Sequence, residues 1–285
     1  EWWYGTELPA NWKLAMEAFM EGYHVMATHP QLQEAAPRLY DGMYLGDRSA
    51  PLKIADPAKS LKENVADTIR SFELLNEGMA GVIPAKEIEI AQSLADVDNL
   101  GMTFPEDPDE ALAMWMSIFR DRISKRLQSR GEPVPELNTV CQTAPLHALE
   151  FLFPHYFLLP PFTSMSTYRI RPLGPESCFF EIWSLTMFPE GEEPDPVMEP
   201  IVLPYDSQEF PPIPRQDYSN IPLQQKGLHA RDFEFMRLSK EVEGLISNYH
   251  RLIDGYLAGQ PADKLARANH ELGGNFDGQI KDLGF

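Results

Sequence analysis

The residues of this chain best suited to chemistry are concentrated in one segment, Asn11-Trp-Lys-Leu-Ala-Met-Glu-Ala-Phe-Met-Glu-Gly-Tyr-His-Val-Met-Ala-Thr-His-Pro30. His24 and His29 offer two imidazoles, and neutral imidazole is the commonest side-chain ligand for transition metals. On an unbroken helix, residues five apart stand about 140° apart around the axis, so one ion could not take both. Pro30 changes this, because the residue before a proline is pushed out of the helical region. His29 then lies at or beyond the last turn and can fold back beside His24, leaving room for a third ligand from elsewhere. Taken alone, the pair favours a plainer reading, one surface histidine and one that caps a helix. Glu21 lies three residues before His24 on the same helical face, and Glu17 a further turn back. A carboxylate at Glu21 can accept a hydrogen bond from the His24 ring, fixing its tautomer and strengthening its other nitrogen as a donor to metal. By itself Glu21 also fits a solvated helix face.

These residues need elements to position them. Trp12, Met16, Phe19, Tyr23 and Met26 recur at intervals of three and four, which predicts one amphipathic helix over 11–28. Further helices are predicted at roughly 57–78, 85–95 and 108–130, the last with Asp107 as N-cap and Pro108 in the first turn. An aromatic-rich stretch begins near Leu146. Thr167 to Arg171, a Pro-Leu-Gly-Pro turn and a run from Cys178 to Phe188 then read as a β-hairpin. From Pro189 to Pro222 the chain is rich in proline and acid and shows no period. Such stretches are lids or linkers. Residues 189–216 are expected to form a lid over the substrate cavity, with Val197, Met198, Ile201, Val202 and Leu203 touching substrate or a neighbouring subunit. A long helix is predicted from about Arg231 to Leu257, followed by a polar tail expected to fray. Segregated helices and antiparallel hairpins make this an α+β chain, expected to be a single domain over 1–285 with a helical insertion at 57–130.

Composition narrows the partners. Lys and Arg total 24 against 43 Asp and Glu, a formal charge of -19 that repels nucleic acid and anionic bilayers. Cys141 and Cys178 are too few for a disulfide framework and lack a CxxC spacing. With no membrane-length apolar run and no signal peptide, the expected location is cytoplasmic. The chain opens on Glu1-Trp-Trp-Tyr without Met, which reads as the interior of something longer.

Asn11-Trp12-Lys13, then Glu17-Ala18-Phe19-Met20-Glu21-Gly22-Tyr23-His24 and His29-Pro30, resembles the signature of the Rieske non-haem iron oxygenases, the aromatic-ring-hydroxylating oxygenases, in the catalytic domain of their large (alpha) subunit. Ala18 stands where that family usually has Asn. The family's third ligand is an Asp in an Asp-x-x-Asn segment followed by Gln and Gly-Leu, and Asp217-Tyr218-Ser219-Asn220 with Gln225 and Gly227-Leu228 is similar to it. Without the family, Asp217 reads as a helix N-cap, with Asp206 as a competing ligand. The resemblance implies a helix-grip (START-like) fold, a curved antiparallel sheet around a long C-terminal helix. It also implies mononuclear Fe(II) on His24, His29 and Asp217, with Glu21 as the acidic bridge from His24 to the cluster of a neighbouring subunit in a homotrimer.

Two imidazoles and one carboxylate on one face of an iron leave the opposite face open for dioxygen. Zinc is possible from the ligands alone, although the H-E-x-x-H element of many hydrolytic zinc sites is absent. The implied function is a terminal oxygenase component, a monooxygenase or dioxygenase of aromatic hydrocarbon catabolism, acting on an apolar, aromatic substrate with O2. Its electrons come from a ferredoxin or reductase through a Rieske [2Fe-2S] cluster, expected in a preceding domain because Cys141 and Cys178 lack the Cys-x-His and Cys-x-x-His spacings. The chain alone is therefore expected to turn over poorly. The rival reading is a metal-free helix-grip module that carries a hydrophobic ligand. His147, His155, His229, His250 and His270 have no motif partner and read as structural or exposed.

Overall fold

The computed structural model describes residues 2–38, 53–79, 81–144, 149–272 and 279–285, so His147 and the start of the aromatic stretch lie outside the described residues. Six strands form one sheet in the order β2-β3-β4-β5-β1-β6. They are β1 (Trp2–Leu8), β2 (Glu150–Leu152), β3 (Tyr156–Leu159), β4 (Ser164–Gly174), β5 (Ser177–Thr186) and β6 (Ile201–Val202). The predicted hairpin is β4 and β5, paired over their full length from Ser164↔Thr186 to Gly174↔Ser177. All pairings are antiparallel except the two-residue match of β6 to β1.

Alternation along β4 and β5 sorts their residues between two faces. Tyr168, Ile170, Cys178, Phe180 and Ile182 point into the core. On the other face Glu181, 1% exposed, is held by both forks of Arg169 at 2.8 Å and by Arg171 at 2.9 Å, while Trp183 stacks on Trp3 at 4.9 Å. The outer face is thus partly screened by its own charged and aromatic side chains.

The helices are α1 (Trp12–Glu17), α2 (Val25–Thr28), α3 (Pro30–Ala35), α4 (Leu61–Gly78), α5 (Ala85–Ser93), α6 (Pro108–Gln128), α7 (Leu137–Thr143), α8 (Pro212–Leu228), α9 (Gly244–Leu257) and α10 (Ala262–Leu272). α9 packs into the sheet core through Leu245, Ile246, Tyr249 and Leu252, which are at most 3% exposed. This is the α+β helix-grip arrangement, a sheet closed on its C-terminal helix. α4 to α7 build a second core around Val65, Ile90, Trp115, Phe119 and Ile123. Their starts follow the sequence signals. Ser60 and Glu63 form a reciprocal capping box at α4, and Asp107 caps α6 ahead of Pro108.

Four expectations need correction. The helix predicted over 11–28 ends at Glu17, and residues 18–24 are a non-helical linker. Phe19 is drawn onto the sheet, stacking on Phe157 at 4.2 Å, and the Glu21 carboxylate captures the His24 backbone N–H that a helix would have used. The irregular stretch ends at Phe210, because Pro212 and Pro214 sit in the first turn of α8, where no N–H is needed; residues 212–216 are thus helical rather than loop. The C-terminal helix starts at Gly244 and not Arg231. Asp232 takes a positive φ of 70°, and Phe233 and Met236 are exposed rather than buried. The described residues of the tail, 260–272 and 279–285, pack onto the fold rather than fray. α10 buries Leu265, Ala268 and Leu272, and Phe285 packs against Gly255, where a Cβ would come within 2.4 Å of its ring.

Candidate metal centre

His24 is the N-cap of α2, and His29 is the junction at which α2 ends and α3 begins, with φ −120° and ψ 62°. The four-residue helix between them brings the two rings to 5.4 Å, inclined at 72°. Pro30 does occupy the first position of α3, so the predicted break falls where the proline requires it. Asp217 comes from the middle of α8, buried at 7% exposure, and is neither a cap nor exposed like Asp206.

One ligand atom from each of His24, His29 and Asp217 lies within 4.8 Å of the others. His29 Nε2 is 3.1 Å and His24 Nε2 3.6 Å from Asp217 Oδ1. The opposite nitrogen of each ring is already engaged. His24 Nδ1 lies 2.7 Å from Glu21 Oε1, and His29 Nδ1 lies 2.7 Å from Gln216 Oε1. Carboxylate and amide oxygens only accept, so both Nδ1 atoms donate, and each Nε2 faces Asp217, where a neutral ring would offer its lone pair to a metal. Two neutral imidazoles and a carboxylate fit a divalent transition metal, and three donors leave further coordination positions open.

Each of the three side chains is held by neighbours. Glu21, 8% exposed, takes the His24 backbone N–H on its second oxygen at 3.1 Å. Burial pushes the His24 pKa down, but the hydrogen bond to Glu21 and the charges of Glu21 and Asp217 outweigh it and hold the imidazole above its ordinary value. Gln216 exchanges amide hydrogen bonds with Gln31 at 3.0 and 3.3 Å. Asn220 donates to Thr28 Oγ1 at 2.8 Å, and Gln225 accepts from the Asn11 backbone at 2.8 Å. One face of α8 is thus stitched along the whole histidine segment, which fixes Asp217 relative to both rings. Beside the site, burial and the Asp217 charge push the Tyr168 and Tyr218 hydroxyls well above their ordinary range, so both rings act as neutral walls.

Sequence reasoning assigned no role to Gln216, although it is the immediate neighbour of Asp217. Two histidines also have partners that spacing did not reveal. His250 Nε2 lies 2.6 Å from Glu17 Oε1, and His229 pairs with Glu176 at 2.7 Å on the surface. Glu17 therefore faces α9 and not the ligands.

A cavity of about 710 Å³ opens between α3, α4 and α6, floored by Leu32, Phe72, Leu75 and Met116 and reached by Gln31. Among the described residues none from 189–216 lines it. No helix among the described residues is long and apolar enough to cross a membrane.

No curated protein and no solved structure matches the sequence. The family model described as "Ring hydroxylating alpha subunit (catalytic domain)" matches residues 2–259, a span that holds the histidine segment, the sheet, Asp217 and α9. A match over nearly the whole chain, carrying a two-histidine, one-carboxylate cluster at its centre, places this chain in the ring-hydroxylating oxygenase alpha-subunit catalytic-domain family.

Proposed function

We propose that this domain is the oxygen-activating site of a terminal oxygenase that holds one Fe(II) through His24 Nε2, His29 Nε2 and Asp217 and hydroxylates or dihydroxylates an apolar aromatic substrate. The observation that carries the reading is convergence: Glu21 and Gln216 engage both Nδ1 atoms, which turns both Nε2 atoms toward one buried carboxylate. When bound, the iron supplies an open face at which dioxygen is reduced and delivered to substrate.

The chain's own residues do the rest. Gln216 and Glu21 hold the rings in register, and Tyr168 and Tyr218 keep the inner wall dry. The 710 Å³ cavity, whose size suits a small-molecule site, is the proposed substrate space. It begins one hydrogen bond beyond the residue that orients His29, since Gln31 both lines it and binds Gln216. Residues 189–211, none of which lines that cavity, are proposed as a contact surface for a neighbouring subunit; Met198, 77% exposed, and Val202, 60% exposed, are apolar surface in want of a partner. The electrons are proposed to come from a ferredoxin or reductase through a Rieske [2Fe-2S] cluster. Glu21 would face that cluster across a subunit boundary in a homotrimer located in the cytoplasm.

Metal analysis of anaerobically prepared protein tests the reading. One Fe per chain, lost in the Asp217→Ala variant, is the expected result. A metal-free protein carrying a lipid-like molecule would instead make it a hydrophobic-ligand carrier.

A further inference from the structure

The linker 18–24 contains Glu21 and ends on His24, yet it has no helix or strand of its own to hold it. Both of its ends are tied to one helix. Glu17, the last residue of α1 and 6% exposed, pairs through Oε1 with His250 Nε2 at 2.6 Å. Tyr23, the residue before His24, donates its hydroxyl to Glu243 Oε1 at 2.7 Å. Glu243 is the N-cap of α9, and His250 stands seven residues, or two turns, further along, so both partners project from the same side of the helix.

We propose that α9 is a clamp that sets the position of Glu21 and His24 through these two ties, making Tyr23, Glu243, Glu17 and His250 positioning residues for the metal centre. The inference rests on the metal reading above. The physical case is that an unwound linker loses conformational freedom only where something orders it, and a ligand must be placed to within fractions of an ångström to bind well. α9 is a suitable reference because Leu245, Ile246, Tyr249 and Leu252 bury it in the core. The second oxygen of Glu243 accepts the Ser239 backbone N–H, so the carboxylate that receives Tyr23 is itself fixed. Midway between the ties, Phe19 stacks on Phe157, which stops the linker from sliding along the sheet. The two ties differ in exposure. The Glu17 carboxylate is buried, so removing His250 strands it and lowers stability. Tyr23 is 40% exposed, so removing its hydroxyl leaves the fold in place.

The test uses the full chain with Co(II), whose visible absorption reports coordination geometry and whose release into a chelator gives a rate. Tyr23→Phe and Glu243→Leu are each expected to release Co(II) about tenfold faster and to shift its absorption bands. The double variant should be no worse than Glu243→Leu alone, because Tyr23→Phe breaks a bond that Glu243→Leu has already removed. Glu243→Gln, whose single amide oxygen can still accept the Tyr23 hydroxyl but leaves the Ser239 N–H without its acceptor, should release Co(II) at a rate between those of the wild type and Glu243→Leu. His250→Ala should speed release from the other end, with a lowered melting temperature that Tyr23→Phe does not share. Unchanged release and spectra in Tyr23→Phe and Glu243→Leu would overturn the clamp while leaving the metal site intact. A loss of metal-free stability without any change in release would likewise reduce the ties to structural braces. A wild-type chain that takes up no Co(II) would overturn the metal reading and the clamp together.

Discussion

His24 and His29 present the same ring nitrogen to Asp217 for the same reason, an acceptor-only oxygen behind each ring. Replacing His24, His29 or Asp217 by Ala is therefore expected to abolish stoichiometric iron, read by metal analysis, because affinity requires every ligand to be present. Gln216→Leu should keep all three ligands but release the His29 tautomer. A loss of about 10- to 100-fold in metal affinity, measured by competition with a chelator, is expected. Glu21→Gln in a full-length complex should retain iron while product formation per electron consumed falls sharply; near-normal coupling would reduce Glu21 to an orienting group for His24 alone.

At the scale of elements, the site exists because one expected helix is broken into two short helices, α1 and α2, joined by the linker 18–24. Phe19 anchors the break by lying 4.2 Å from Phe157, 5.7 Å from Tyr168 and 5.8 Å from Phe180. Phe19→Ala should destabilise the domain by about 3 kcal/mol in urea unfolding, the lower end for a truncated aromatic because Phe19 is only half-buried. The segment 189–211 pairs with the sheet edge over Ile201 and Val202, and the Leu203 backbone N–H adds one bond to the Gly5 carbonyl at 3.0 Å. If its exposed apolar residues meet a neighbouring subunit, limited proteolysis between 189 and 211 should slow as protein concentration rises. Equal cleavage at low and high concentration would leave it a surface linker.

Across the whole molecule, two cores meet at a seam marked by Glu87, which is fully buried on α5 and accepts both the backbone N–H and the hydroxyl of Thr163 ahead of β4. Burial raises its pKa to about 7, opposed by the Thr163 hydrogen bonds and by Lys86, while Glu132 adds to the rise. Because the folded value lies above the unfolded one, Glu87 contributes stability that is complete below about pH 4.5 and is lost as pH rises through 7. Glu87→Gln keeps an acceptor for Thr163 and carries no charge. The variant should match the wild type near pH 4.5 and gain on it by up to about 3 kcal/mol above pH 7, measured as the difference between their chemical unfolding curves. A constant difference across that range would mean that Glu87 stays ionised throughout.

The sequence by itself determined what lies within a few residues. The turn signals place β4 and β5, the caps start α4 and α6, Pro30 breaks the chain after His29, and Glu21 stands one turn from the ring it holds. Its motifs also carried the family and named Asp217. Periodicity misjudged 11–28 and 231–257 because it records which residues are apolar, not which partner they find. Phe19 leaves its helix for a sheet more than a hundred residues away, and Phe233 and Met236 find no core at all. Only the tertiary structure decided which oxygen orients His29, what Glu17 faces and where the tail returns. Gln216 and His29 are 187 residues apart and Glu17 and His250 are 233 apart, and no local spacing encodes contacts of that range. They exist because burying the faces of α8 and α9 against the sheet brings distant polar groups together at the edges of the core, where each must find a partner.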